Sequence, residues 1–104
     1  YKIKGRIESE RITLLEDARA LADVGAFAVV LEIVTPAVAK ELTKNISIPT
    51  IGIGSGPDCD GQILVTLDLI GAFPWFTPKF VKPMLNTAEQ MREAFRHWKR
   101  SLSR

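Results

Sequence analysis

Glu32 is the residue in this sequence best placed to do chemistry. It closes the run 26–32, which is apolar until this one carboxylate. A short apolar run bounded by turn signals reads as a strand covered on both faces, as in a parallel sheet flanked by helices. Thr35 and Pro36 open a helix directly afterwards, Thr35 as N-cap and Pro36 at the first helical position. Glu32 therefore falls at the carboxyl end of a strand, where α/β barrels and open α/β sheets collect their chemistry. A carboxylate there either takes part in a reaction or merely caps or salt-bridges the strand end. Position alone leaves both open.

A second candidate is the stretch 50–56, a short buried strand running into Gly52, Gly54, Ser55 and Gly56. The glycines let the backbone approach a ligand or a neighbouring strand closely. The spacing G-x-G-x-G is neither a Rossmann fingerprint nor a P-loop with its lysine, so a tight strand exit is the plainer reading. Asp58-Cys59-Asp60 places two carboxylates around a thiol, but no histidine is near and the spacing matches no metal-ligand pattern. The preferred reading is a turn, with Asp60 capping a helix through Ile63, Leu64, Leu67 and Ile70 that ends at Gly71. No metal ligand is assigned in this sequence. Phe73, Trp75, Phe76 and Phe80 either stack on a flat cofactor or close the end of a core. His97 lies on the polar side of the last helix without a partner in sequence, and no catalysis is assigned to it.

The elements that must position these groups follow from periodicity and punctuation. Residues 1–7 read as a basic loop with a turn at Gly5. A helix follows, with Ser9 as N-cap and Glu10 in its first turn. Its apolar stripe is Leu14, Leu15, Ala18, Leu21 and Ala22, and Gly25 stops it. After the Glu32 strand, a helix over 36–45 buries Val38, Ala39 and Leu42, and Pro49 precedes the strand from Thr50. The proline-rich connection 72–83 forbids a long helix and is read with a short strand at 79–82. The last helix takes Asn86 as N-cap with Glu89 three positions on. Ala88, Met91, Phe95, Trp98 and Leu102 step by 3, 4, 3 and 4, a narrow seam suited to docking on a barrel or a partner helix.

Composition sets the outer bounds. The 104 residues suit one small domain, with 46% apolar and 25% charged side chains. A net charge of +2 is too small to argue for nucleic acid. No apolar run reaches the roughly 18 residues of a membrane span, and no signal peptide is visible. A single cysteine, Cys59, forms no internal disulfide and suggests no oxidising compartment, so a cytoplasmic setting is expected. The chain opens on Tyr1, and its methionines are Met84 and Met91. A portion of a longer polypeptide is therefore expected. The strands point the same way, since two or three parallel strands require neighbours on both edges and helices outside. The spacing suits half of a (β/α)8 barrel.

The runs 16–21, 24–32 and 48–65, together with 78–82, resemble the ketopantoate hydroxymethyltransferase family, and 48–65 is the most specific of them. The resemblance covers nearly the whole chain in one register. It implies that residues 1–104 are the C-terminal half of a single (β/α)8 TIM barrel of the phosphoenolpyruvate mutase/isocitrate lyase kind. It implies transfer of a one-carbon unit from 5,10-methylenetetrahydrofolate to the small 2-oxo acid 3-methyl-2-oxobutanoate, giving ketopantoate for pantothenate and coenzyme A. Mg²⁺ would chelate the oxo acid as a Lewis acid, with its ligands in the N-terminal half. The family's catalytic glutamate falls on Glu32, as proton acceptor or relay, and Gly52, Gly54, Ser55 and Gly56 would line the barrel mouth. Expected partners are the oxo acid, the folate, the N-terminal half and further copies in a homo-oligomer, often a decamer. Neither nucleic acid nor membrane is expected. Four positions depart from the family pattern: Ser55 replaces a usual alanine, Glu32-Ile33-Val34-Thr35 replaces Glu-Cys-Val-Pro at Ile33 and Thr35, and Leu67 replaces a common histidine. A non-catalytic half-barrel that self-associates through open sheet edges is the alternative.

Overall fold

A computed structural model describes residues 2–102. They fall into two compact units, one ending at Ile63 and the other starting at Leu64.

The first unit is an α/β layer. Helix α1 (Glu8–Asp23) is followed by strand β1 (Val29–Glu32), helix α2 (Pro36–Asn45), strand β2 (Thr50–Ile53) and a two-residue strand β3 (Gly61–Gln62). The strands are all parallel, in the order β1-β2-β3. The C-terminus of α1 is where Gly25 predicts it. Gly25 takes φ +94°, its N–H donates to the Ala22 carbonyl, and the Ala26 N–H donates to the Leu21 carbonyl. This paired closure needs a residue that tolerates left-handed backbone. The start of α1 differs from expectation. The Arg11 N–H donates to the Ile7 carbonyl, so the helix begins at Glu8 and Ser9 lies inside it rather than capping it.

Helices α1 and α2 cover one face of the sheet. Leu31 and Val34 pack with Ala18, Val38, Ala39 and Leu42, the last two wholly buried. A bidentate fork ties the helices together at the surface, Arg11 Nε and Nη2 donating to the two Glu41 carboxylate oxygens at 2.8 Å each. That bond, then the charges of Glu41 and Glu8, hold the Arg11 guanidinium above its ordinary pKa. The expectation that β1 is covered on both faces does not hold among the described residues. Val30 is 55% exposed, and Phe27, just ahead of the strand, 92%.

Residues 60–70 are also different from expectation. Asp60 caps no helix. Its carboxylate accepts the Thr50 N–H at 2.8 Å, and its own N–H donates to Thr50 Oγ1 at 3.1 Å. This pins Asp60 beside the head of β2, so Gly61 and Gln62 run on as β3 in register with Ile51 and Gly52. The described residues of the expected loop, 2–7, form more than a loop, because Lys4 makes a parallel bridge to Val34.

In the second unit the helix reduces to a single turn, α3 (Thr66–Leu69). Positions 79–82 are not a strand. The Val81 N–H donates to the Pro78 carbonyl, a turn framed by prolines that cannot join a ladder. Helix α4 (Thr87–Ser101) starts as predicted, with Asn86 accepting the Glu89 N–H at 3.4 Å. Its seam of Met91, Phe95, Trp98 and Leu102 is exposed. No described helix is long and apolar enough to cross a membrane.

Candidate active site at the carboxyl ends of β1 and β2

The register of the sheet sets which groups meet. Glu32 pairs with Ile53, so the carboxylate stands level with the last residue of β2, one position before Gly54. Side chains two apart along a strand share a face. Val30 and Glu32 therefore lie on one face with Ile51 and Ile53, while Val29 and Leu31 lie on the other with the helices. Glu32 thus stands on the helix-free face, at the carboxyl end. Its side chain is exposed. Among the described residues it makes neither a hydrogen bond nor an ion pair, so the capping and salt-bridge readings have no support there.

The turn after Glu32 is unusual. Ile33 has φ +51°, the single non-glycine residue with positive φ among those described. A β-branched side chain in that region is a genuine outlier, at a cost of about 1–3 kcal/mol. The neighbours fix it from both sides. The Ile33 N–H donates to the Ile53 carbonyl at 2.9 Å, and its carbonyl accepts the Lys4 N–H at 2.8 Å. Thr35 stands at the N-cap of α2 without a side-chain capping bond, while its N–H donates to the Lys4 carbonyl.

The glycine-rich exit of β2 is built by packing. A side chain at Gly52 would put its Cβ 2.8 Å from Cys59 Sγ. At Gly56, φ is +81° and a Cβ would sit 2.6 Å from the Pro36 Cβ. Gly54 and Gly56 are half-buried and Gly52 is buried. Gln62 Nε2 donates to the Gly56 carbonyl at 2.9 Å, tying the loop to β3. Ser55 is fully buried. Its hydroxyl donates to the Leu31 carbonyl at 2.7 Å and accepts the Val34 N–H at 3.0 Å. The structure therefore brings the Gly52–Gly56 bend and the Glu32 turn together, with the Ser55 side chain directed at backbone. Sequence reasoning missed this last feature. Its one trace in the sequence is a polar residue among apolar and glycine neighbours.

Asp58, Cys59 and Asp60 form no ligand set. Among the described residues no group of three or more His, Cys, Asp or Glu side chains could hold a metal ion. Asp60 is spent on Thr50, which also shares a 2.7 Å hydrogen bond with Thr43. This network sits at the amino end of β2, opposite the site.

The described strands thus form a parallel α/β layer whose carboxyl ends carry Glu32 and the glycine-rich bend, the end at which α/β folds hold their sites. The family model described as ketopantoate hydroxymethyltransferase matches residues 1–104. The chain is 56% identical over 94 residues to the 3-methyl-2-oxobutanoate hydroxymethyltransferase of Clostridium botulinum (strain Alaska E43 / Type E3), covering 90% of this chain and 34% of that protein. It is 50% identical over 99 residues to the protein of that name from Thermosipho africanus, covering 95% and 37%. It is 48% identical over 104 residues to the one from Thermotoga maritima, covering 100% and 38%. The chain belongs to the ketopantoate hydroxymethyltransferase family. It spans about a third of the length of the curated relatives it matches.

Proposed function

We propose that this protein transfers a hydroxymethyl group from 5,10-methylenetetrahydrofolate to 3-methyl-2-oxobutanoate, giving 2-dehydropantoate for pantothenate synthesis. Family membership over the whole chain carries the choice of reaction. The unpaired carboxylate at the end of β1 carries the choice of residue. In this reading Glu32 takes the proton from C3 of the oxo acid, general-base work on a carbon acidified by the adjacent ketone. C3 then bonds to the methylene carbon, whose two bonds to the folate nitrogens break; water oxygen becomes the new hydroxyl, and the proton from C3 and one proton from water end on those two nitrogens as tetrahydrofolate leaves.

The layer is read as part of a (β/α)8 barrel. Val30 and Ile51 on the helix-free face suit a barrel interior, which is filled by branched side chains. Gly54, one position beyond the β2 residue paired with Glu32, adds no side chain beside it, while Gly52 and Gly56 let the bend pack against Cys59 and Pro36. The expected Mg²⁺ does not fit the residues described here, which offer no cluster of three ligands. In this reading its ligands belong to the remaining part of the barrel. The exposed seam of α4 supports burial against a further element or another copy, as in a homo-oligomer.

The test is direct. The full-length protein is supplied with 3-methyl-2-oxobutanoate and 5,10-methylenetetrahydrofolate, and products are read by mass spectrometry. Formation of 2-dehydropantoate supports the assignment. A folded protein that makes none over a range of divalent cations contradicts it.

A further inference from the structure

The placement of the Glu32 carboxylate rests on the backbone beneath it. Its side chain has no hydrogen-bonding or ionic partner among the described residues. Whatever fixes residues 31–34 therefore fixes where the carboxylate can reach. Three groups do so. The Ile53 carbonyl and the Lys4 amide hold the two polar groups of Ile33. The third is a side chain, Ser55, reaching across from the exit of β2.

A serine hydroxyl has one proton to give and two lone pairs to receive. Ser55 spends both capacities on the same turn. It donates to Leu31, the residue before Glu32, and accepts from Val34, the residue after Ile33. The Glu32–Ile33 pair is thus bracketed by one hydroxyl. Both bonds are buried, in surroundings where a polar group left unpaired is costly. Backbone strain of the kind seen at Ile33 persists only where the surroundings over-determine it. Among the described residues Ser55 is the one side chain hydrogen-bonded to this turn, since Ile53 and Lys4 act through main-chain atoms, and it adds to the packing of Leu31 and Val34 in the core.

We propose that Ser55 is a positioning residue for Glu32, holding the left-handed turn at Ile33 so that the carboxylate stays at the carboxyl end of β1. The proposal rests on Glu32 being the proton acceptor. Ser55 touches no reacting atom. It acts through the turn, and its loss acts on proton transfer rather than on substrate binding.

The experiment is a double-mutant cycle in the full-length protein with Ser55→Ala, Glu32→Gln and both together, reading kcat and KM separately. Ser55→Ala restores the alanine usual in the family but leaves Ile33 and Thr35 where the family has cysteine and proline; it is expected to lower kcat about tenfold with KM changed less than about twofold, the pattern of a misplaced catalytic group. In the Glu32→Gln background the same change is expected to lower kcat no further, because there is no base left to misplace. An equal loss in both backgrounds makes Ser55 merely structural and overturns the proposal. So does an unchanged kcat in Ser55→Ala while Glu32→Gln is impaired. If Glu32→Gln alone keeps full activity, the reading of Glu32 fails first and takes the proposal with it. Should the alanine variant not fold, Ser55→Cys serves in the same cycle, being close in shape but a weak donor, with the same outcomes.

Discussion

Ser55 and Val34 stand 21 positions apart and are joined by a buried hydrogen bond of 3.0 Å, the Val34 amide donating to the serine hydroxyl. That bond links the exit of one parallel strand to the exit of its neighbour. With the Ser55 bond to the Leu31 carbonyl, it makes the two loop ends one rigid piece. The free acid and the glycine bend are held in that piece, and the predictions below follow from how it is built.

Gly56→Ala is expected to destabilise the full-length protein by at least about 1–2 kcal/mol, the cost of left-handed backbone in a residue with a Cβ. The crowding against Pro36, 2.6 Å from the added carbon, adds to it. Chemical denaturation checks this through the midpoint. A variant as stable as the parent means that the bend is not fixed by its contact with α2.

At the opposite end of β2, Thr50→Val keeps the shape but removes a fully buried hydroxyl bonded to both Thr43 and Asp60. The expected loss is about 1–3 kcal/mol, the penalty for buried groups left unpaired. Activity per folded molecule should stay unchanged, since groups at the amino ends of strands serve stability. Thermal unfolding and kcat measured on the same sample separate the two effects. A fall in kcat with no loss of stability contradicts the division.

Residues 1–104 produced alone are expected to associate or to fold poorly. Phe27 and Val30 are bare in the first unit, and Phe95 and Trp98 in the second. Apolar groups left open in this way drive self-association or aggregation. Sedimentation velocity tests this. A single monomeric species that unfolds cooperatively is the opposing result.

Much of the frame was legible from local chemistry. Pro36 at the first helical position, Asn86 at an N-cap and Gly25 after a helix each act within a turn of where they stand, and each boundary holds. The strand at Thr50 was legible because a proline and a glycine bracket an apolar run. What could not be read depends on partners distant in sequence. β3 is two residues long, too short for any period, and exists because Asp60 bonds to Thr50 ten positions earlier. Position 33 gave no sign of left-handed backbone, since isoleucine is among the residues least suited to it. Ser55 read as a spacer between glycines, and its role appears only once β1 and β2 lie side by side. The place of Glu32 at a strand end was legible because a lone acid closing an apolar run is a local signal.

The most direct measurement is hydrogen exchange at C3 of 3-methyl-2-oxobutanoate in D₂O, followed by proton NMR with the full-length protein and its Glu32→Gln variant, without the folate. Removal of the carboxylate is expected to slow enzyme-dependent exchange by well over about tenfold, within the range for losing a general base, while the circular dichroism and melting curve stay as they were. Equal exchange rates in a properly folded variant contradict the assignment of Glu32 as the proton acceptor.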